Sequence, residues 1–362
     1  MKKIYYIAAV FATLFLAGCG DGIDLPGVNV ETDLNKIPLP DNNVNLEQVE
    51  LKPSTEPMLH EGLHTEADFQ RIRDKKAAGE EPWVSAYQLL VESQFSQKTA
   101  DTYPTEWIKR GISGDENYMN AARGATIAYQ QALRWKIEQD DEYAAKAVEN
   151  LNKWVQTCVG VTGNTNLSLA AGLYGYEFAI AGELLRDYGG WDRADFAAFQ
   201  NWLLKVFYPA NDDFLKRHHD TNALHYWANW CLCNIAAKMA IGIVTDRRDI
   251  YNEGIDHLQT GDTNGRLRRA IYHDYAPDYN FAQWQESGRD QGHTLMCVGL
   301  MGIICQLAWS QGDDFFAYDD NLFMRACEYA ACCNYTNETV PYTTYIWQKQ
   351  SQWGYPIPEE QT

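Results

Sequence analysis

From residue 65 onward, apolar side chains return every three or four positions and almost never every second one. That spacing places them on single faces of α-helices and leaves little room for strands, so the chain is confined to an all-α fold. Between Glu142 and Val155, for example, Ala144, Ala147, Val148, Leu151, Trp154 and Val155 share one face, with Glu, Lys and Asn opposite. Thr65 is placed to cap a helix running through Lys76, and Gly79 and Pro82 punctuate the chain before the next helix. Further helices are expected near 119–138, 167–187, 193–207, 222–242, 247–259, 293–310 and 320–334. The stretch Thr294–Trp309 is apolar nearly all round, and such a helix must be buried. Amphipathic helices mixed with fully apolar ones suit two concentric layers. The expected fold is an (α/α) toroid, an incomplete double-layered helical barrel, in a single domain. The same periodicity allows a helical-repeat solenoid, but no fixed-length repeat supports one.

The N-terminus carries Lys2 and Lys3, then an apolar run over 4–17 that is too short to span a membrane. It stops at Leu16-Ala17-Gly18-Cys19, an arrangement that resembles the bacterial lipobox. The expected organisation is a lipoprotein signal peptide over 1–18, a Gly-, Pro- and Asn-containing tether over 19–56, and the helical domain over 57–362. Cys19 would carry the lipid, anchoring an exported protein on the periplasmic, outer-membrane or cell-surface side. The eight later cysteines lie mostly in apolar helical stretches without paired CxxC units, which argues for buried thiols and against structural zinc.

With 49 acidic against 30 basic residues, the formal charge is -19. A nucleic-acid partner, which needs a basic face, is therefore not expected. An anionic ligand remains compatible if a local basic pocket receives it. The 12 Trp and 22 Tyr suit stacking on sugar rings, though aromatic residues equally fill large helical cores.

Two segments concentrate polar groups. In His218–Trp230, helical spacing puts Leu224, Trp227, Ala228 and Cys231 on one face, and Asn222, His225 and Asn229 on the other, with Tyr226 beside them. Such a helix would line a cleft, unless its polar stripe simply faces solvent. The second segment, Trp284-Gln285-Glu286-Ser287-Gly288-Arg289-Asp290-Gln291-Gly292-His293, runs into the expected buried helix. Buried polar groups are costly unless paired or used. A helix N-terminus favours anions, and Arg289 beside it can hold a carboxylate through two N–H groups. The alternative is an Arg289 that pairs with Glu286 or Asp290 merely to close the loop.

His60-Glu61-Gly62-Leu63-His64-Thr65-Glu66-Ala67-Asp68-Phe69, with Arg71-Ile72-Arg73 and Gly79-Glu80-Glu81-Pro82-Trp83, resembles the opening of the alginate-lyase superfamily domain. Glu286-Ser287-Gly288-Arg289-Asp290-Gln291-Gly292-His293 and the Ala-rich helices at 121–133 and 141–147 are similar to it too, so the likeness covers about residues 58–310. It implies an (α/α) toroid that cleaves uronate polysaccharides, alginate or glucuronan, by β-elimination. That chemistry must neutralise the uronate carboxylate, remove the C5 proton and protonate the departing O4.

By the same resemblance, Asn222 and His225 stand for the neutralising Asn and His, although here Ala223 and Leu224 replace the two Asn that precede the family's His. Arg289 stands for the arginine that holds the carboxylate. Tyr279 is the first choice as the proton-moving tyrosine by chain position, with Tyr226 and Tyr275 as alternatives and His293 as a possible base. Tyr226, Trp230, Gln285, Glu286, Arg123 and Tyr174 complete the expected contacts to an anionic polysaccharide. The resemblance implies no cofactor, and neither His273-Asp274 nor His218-His219-Asp220 forms a convincing metal set. Two other readings stand beside the lyase: a toroidal glycoside hydrolase, which needs two opposed carboxylates, and a non-catalytic glycan-binding lipoprotein.

Overall fold

The computed structural model describes residues 54–361 apart from 337 and 352–355. Cys19, the signal peptide and nearly all of the tether lie outside the described residues. Helices dominate, as the periodicity requires. They are α1 (Glu66–Ala77), α2 (Trp83–Glu92), α3 (Tyr118–Glu138), α4 (Asp141–Thr157), α5 (Leu167–Leu184), α6 (Arg193–Val206) and α7 (Tyr208–Arg217). They continue with α8 (Ala228–Val244), α9 (Arg248–Thr260), the single turn α10 (Leu267–Ala270), α11 (Gln291–Ser310) and α12 (Tyr318–Tyr335). Thr65 caps α1 as expected, its hydroxyl accepting from Asp68 N at 3.2 Å while the Asp68 carboxylate accepts from Thr65 N at 2.9 Å.

Burial sorts the helices into two layers. In α5 and α8 nearly every residue is buried, so these helices, with α3 and α11, form the inner ring. Neighbours pack in the order α3, α5, α8, α11. The amphipathic α4 and α9 lie outside, against α3 and α8. By length and composition α11 could cross a membrane, yet it packs between α8 and α12.

The two ends of the ring differ. Residues 54–64 run across the C-terminal ends of the inner helices and seal them. The Gln311 amide bonds Leu59 N and O at 2.9 and 3.0 Å, Arg248 donates to Glu56 O at 2.8 Å, and His60 meets Asp246 at 2.9 Å. Arg186 completes this floor, donating to Val244 O at 2.9 Å and pairing with Glu183, which places a cation where helix carbonyls lack partners. The N-terminal ends of the inner helices meet at the opposite end, and the candidate residues lie there.

One expectation needs correction. The helix expected from 222 begins at Ala228. His218, His219 and Asp220 form a left-handed turn with φ of 51, 53 and 61°, a conformation in which His and Asp are enriched. Asn222 then accepts from Leu224 N at 3.0 Å through its side chain, a local bond that competes with helix formation. The helix stripe of Asn222, His225 and Asn229 therefore does not form; only Asn229 is helical, and it is buried.

The strands are few and short, as expected. Trp107–Arg110 (β1) pairs in parallel with Gly160–Gly163 (β2). Ile271–Asp274 (β3) pairs antiparallel with Ala282–Trp284 (β4), and Tyr345–Gln350 (β5) pairs antiparallel with Pro356–Gln361 (β6). Residues 342–345 are sewn onto β3 and β4: Gln283 donates to Thr343 O at 2.9 Å and accepts from Thr343 N at 2.8 Å.

Trp284 ends β4 fully buried, edge-on to Phe323, with Nε1 donating to Ala326 O at 2.9 Å. Its truncation leaves a large cavity and removes the second hydrogen bond to the Ala326 carbonyl. We expect Trp284→Ala to cost about 3–5 kcal/mol, read as a lowered urea midpoint; a midpoint equal to the parent's would remove Trp284 as the anchor of this end.

Candidate active site

Glu286 organises the loop between β4 and α11. Its side chain has 0% exposure, and Arg289 forms an ion pair with its Oε2. Burial raises the Glu286 pKa, while the Arg289 hydrogen bond and charge pull it back. Its other oxygen, Oε1, is buried without a hydrogen-bond partner, as is the neighbouring Ser287 hydroxyl.

The next turn builds a histidine site. Asp290 caps α11, its Oδ1 accepting from His293 N at 2.9 Å, and its Oδ2 lies 2.9 Å from His293 Nδ1. A carboxylate only accepts, so the tautomer that faces Asp290 carries its proton on Nδ1 and leaves the Nε2 lone pair free. Arg289 Nη2 lies 3.2 Å from the same Nδ1 and can only donate, so its bond belongs to the other tautomer, with the proton on Nε2. The His293 side chain is 40% exposed and that of Arg289 30%, so a ligand can reach both. Among the described residues the hydrogen bonds of Arg289 all run through Nη2, which leaves its Nε and Nη1 hydrogens without a protein acceptor.

Gln285 ties this loop to the head of α8: its Oε1 accepts from Ala228 N at 2.8 Å, and its Nε2 donates to the Tyr345 hydroxyl. Tyr345 is buried, with its pKa pushed up by burial and with Glu286 and Arg289 as charged neighbours.

Asn222 and His225 lie on the other side of Trp227. Asn222 donates to Gln348 O at 3.0 Å and to the Gln350 side chain at 2.9 Å, and His225 Nδ1 accepts from Gln350 N at 2.8 Å. Two indole rings separate His225 from Arg289. Arg289 lies 4.2 Å over Trp227, Trp227 stacks on Trp347 at 4.7 Å, and Trp347 stacks on His225 at 5.7 Å. The structure thus brings Arg289, His293, Glu286 and Gln285 together and sets Asn222 and His225 apart, under the hairpin.

The other expected contacts spread further. Tyr226 is buried among Phe214, His219 and Trp230, at ring distances of 5.1, 5.6 and 4.7 Å. Tyr174 is buried on α5 and stacks on Tyr118 at 6.5 Å. Arg123 is exposed over a recess shared with Asp101, Tyr103 and Asn120. Tyr279 is 53% exposed on the β3–β4 loop, and Tyr275 donates to Gln283 Oε1 at 2.6 Å. Sequence reasoning missed Tyr345, Trp227, Trp347 and the role of Asp290. The alternation Tyr345-Ile346-Trp347-Gln348 was the available signal for the hairpin, two aromatic residues at strand spacing.

The sequence profile described as alginate lyase matches residues 73–338, well over half of the chain. This protein belongs to the alginate lyase family. At that level it is a polysaccharide lyase. No curated protein sequence matches it. Among solved structures, a variant of alginate lyase A1-III complexed with a tetrasaccharide is similar at 14% identity and a TM-score of 0.59, covering 78% of this chain and 82% of that one. Alginate lyase A1-III from Sphingomonas species A1 is similar at 13% identity and a TM-score of 0.54, covering 76% and 80%. An alginate lyase from Bacteroides ovatus gives 13% and 0.50, covering 74% and 82%. At these identities the likeness shows the fold, and all three support the toroid.

Glu286 gives this lyase a pH signature. A carboxyl whose folded pKa lies above its unfolded value weakens the fold as pH rises from the usual 4.5 through the folded pKa. In Glu286→Gln that loss disappears, so urea midpoints measured from about pH 4.5 to about pH 8 should fall less steeply than the parent's. Parallel slopes would show that Glu286 is not the raised acid. Arg289, released from its anchor, should lower turnover by about 10²-fold.

Proposed function

We propose that this lyase cleaves a uronate-containing polysaccharide, alginate at mannuronate-type linkages or glucuronan, by β-elimination to unsaturated oligosaccharides. The exposed Arg289–His293 pair at the head of α11, held from behind by buried Glu286, carries this reading. The remaining N–H groups of Arg289 receive the uronate carboxylate and stabilise the charge that develops when C5 loses its proton. In the tautomer whose Nδ1–H faces Asp290, His293 Nε2 takes that proton. The electrons of the C5–H bond form the C4=C5 double bond, and the C4–O4 bond breaks. In mannuronate and glucuronate, H5 and O4 leave from the same face, so the His293 imidazolium can return its proton to O4. Guluronate, inverted at C5, requires the base on the other face. Hydrolysis would instead need two carboxylates facing each other across the bond, and Glu286 is engaged with Arg289. We also propose that the signal at 1–18 and Cys19 deliver the enzyme as an exported lipoprotein, where it meets such polymers.

The test follows ultraviolet absorbance of the unsaturated product on polymannuronate, polyguluronate, glucuronan and a pectic control, beside a reducing-end assay. Absorbance should rise on the first or third polymer. It should fall by about 10²–10³-fold in Arg289→Ala and about 10²–10⁴-fold in His293→Ala. New reducing ends without absorbance would mean hydrolysis and overturn the mechanism.

A further inference from the structure

The family match ends at residue 338, and the hairpin β5–β6 lies beyond it. Yet the hairpin supplies the partners of both Asn222 and His225. A main-chain amide can only donate, so the bond from Gln350 N to His225 Nδ1 requires a lone pair there and puts the ring proton on Nε2. Trp347 Nε1 donates to His225 O at 2.7 Å, and its indole lies nearly parallel to the imidazole, at 18°. Trp347 also stacks on Trp227, and Arg289 lies over Trp227. Tyr345, at the start of the same strand, receives the Gln285 amide. One strand therefore touches the head of α8, the loop that carries Arg289, and the segment that carries His225.

We propose that the C-terminal hairpin is a positioning element of the active site, in which Gln350 locks His225 as the Nε2–H tautomer and Trp347, with Trp227, sets its spacing from Arg289. The proposal rests on the lyase reading. While Arg289 holds the reacting carboxylate, His225 presents a neutral N–H donor to an oxygen of a neighbouring sugar, since two indole rings stand between the two groups. Protonating Nδ1 breaks the Gln350 bond, so the ring's charge and hairpin docking oppose each other. Burial and the Lys349 charge hold the His225 pKa below 6.5, and Tyr226 is the other titratable ring against it, at 4.9 Å. A histidine pKa lowered by docking makes docking strongest above 6.5 and weaker as pH falls below it.

The test compares Gln350→Pro, which removes the donor, with Gln350→Ala, which keeps it and loses only the side-chain bonds to Asn222. Nitrogen NMR of ring-labelled histidine in the full chain reads tautomer and pKa without substrate. We expect the parent and Gln350→Ala to hold the Nε2–H form. Gln350→Pro should show mixed tautomers, a His225 pKa moved up toward 6.5, and a kcat lowered about 10-fold, with the acid limb of the rate profile shifted the same way. Trp347→Phe, which keeps a ring and loses the donor to His225 O, covers the case in which the proline variant fails to fold; it should move the same signals part-way. An unchanged tautomer and pKa in both variants overturns the proposal, as does a changed tautomer with parental kcat. A parent inert toward every uronan sinks the lyase reading instead, and the NMR still decides the lock.

Discussion

A carboxylate with no exposed surface keeps its charge only if a cation meets it, and the active end of this protein is arranged around one such group. Glu286 is fully enclosed, and Arg289 is the side chain that answers it. Once Arg289 is fixed there, the loop must turn within three residues, and Asp290 becomes both the cap of α11 and the partner of His293. The orphaned Oε1 of Glu286 and the Ser287 hydroxyl mark the unspent polarity of this loop. Breaking the pair would leave a buried charge unmatched, which ties the placement of the candidate catalytic groups to the stability of the fold itself.

Helix content and the toroid were legible because burial on one face leaves a periodic trace. The expected bounds of α3, α5, α6 and α9 fall within a few residues of those observed. The start of α8 was not legible, since helical spacing continues through Asn222 and His225 while the backbone does not. A left-handed His-His-Asp turn and an Asn side-chain bond override the pattern locally. Helix α7, with Pro209 in its first turn, and the C-terminal hairpin carried signals too short to compete with fifteen-residue periodicities.

The candidate site shows the same division. Arg289, His293, Glu286 and Gln285 were legible together because they are contiguous in sequence, and contiguity at a helix start nearly guarantees proximity. Tyr345 and Trp347 reach the site from sixty residues or so downstream, through long-range bonds such as Gln285 to Tyr345. Pattern arguments see only local spacing, so a residue delivered by a separate hairpin leaves no mark near the motif it completes. The relation of His225 to Arg289 has the same origin: it runs through Trp227 and Trp347, and Trp347 comes from the hairpin.

An acidic chain proposed to work on an acidic polymer also needs an account of its electrostatics. The formal charge of -19 repels a polyuronate at long range, but salt screens charges separated by more than about 10 Å. What acts at contact is local. The inner helices α5, α8 and α11 turn their N-terminal, positive dipole ends toward the same side as Arg289, while their carbonyl ends face the floor, where Arg186 meets two of the carbonyls. The acidic groups near Arg289 are consumed: Glu286 by the guanidinium, Asp290 by a helix amide and an imidazole. The global charge therefore governs approach, and the segregation of helix ends governs which face of the toroid can hold a carboxylate.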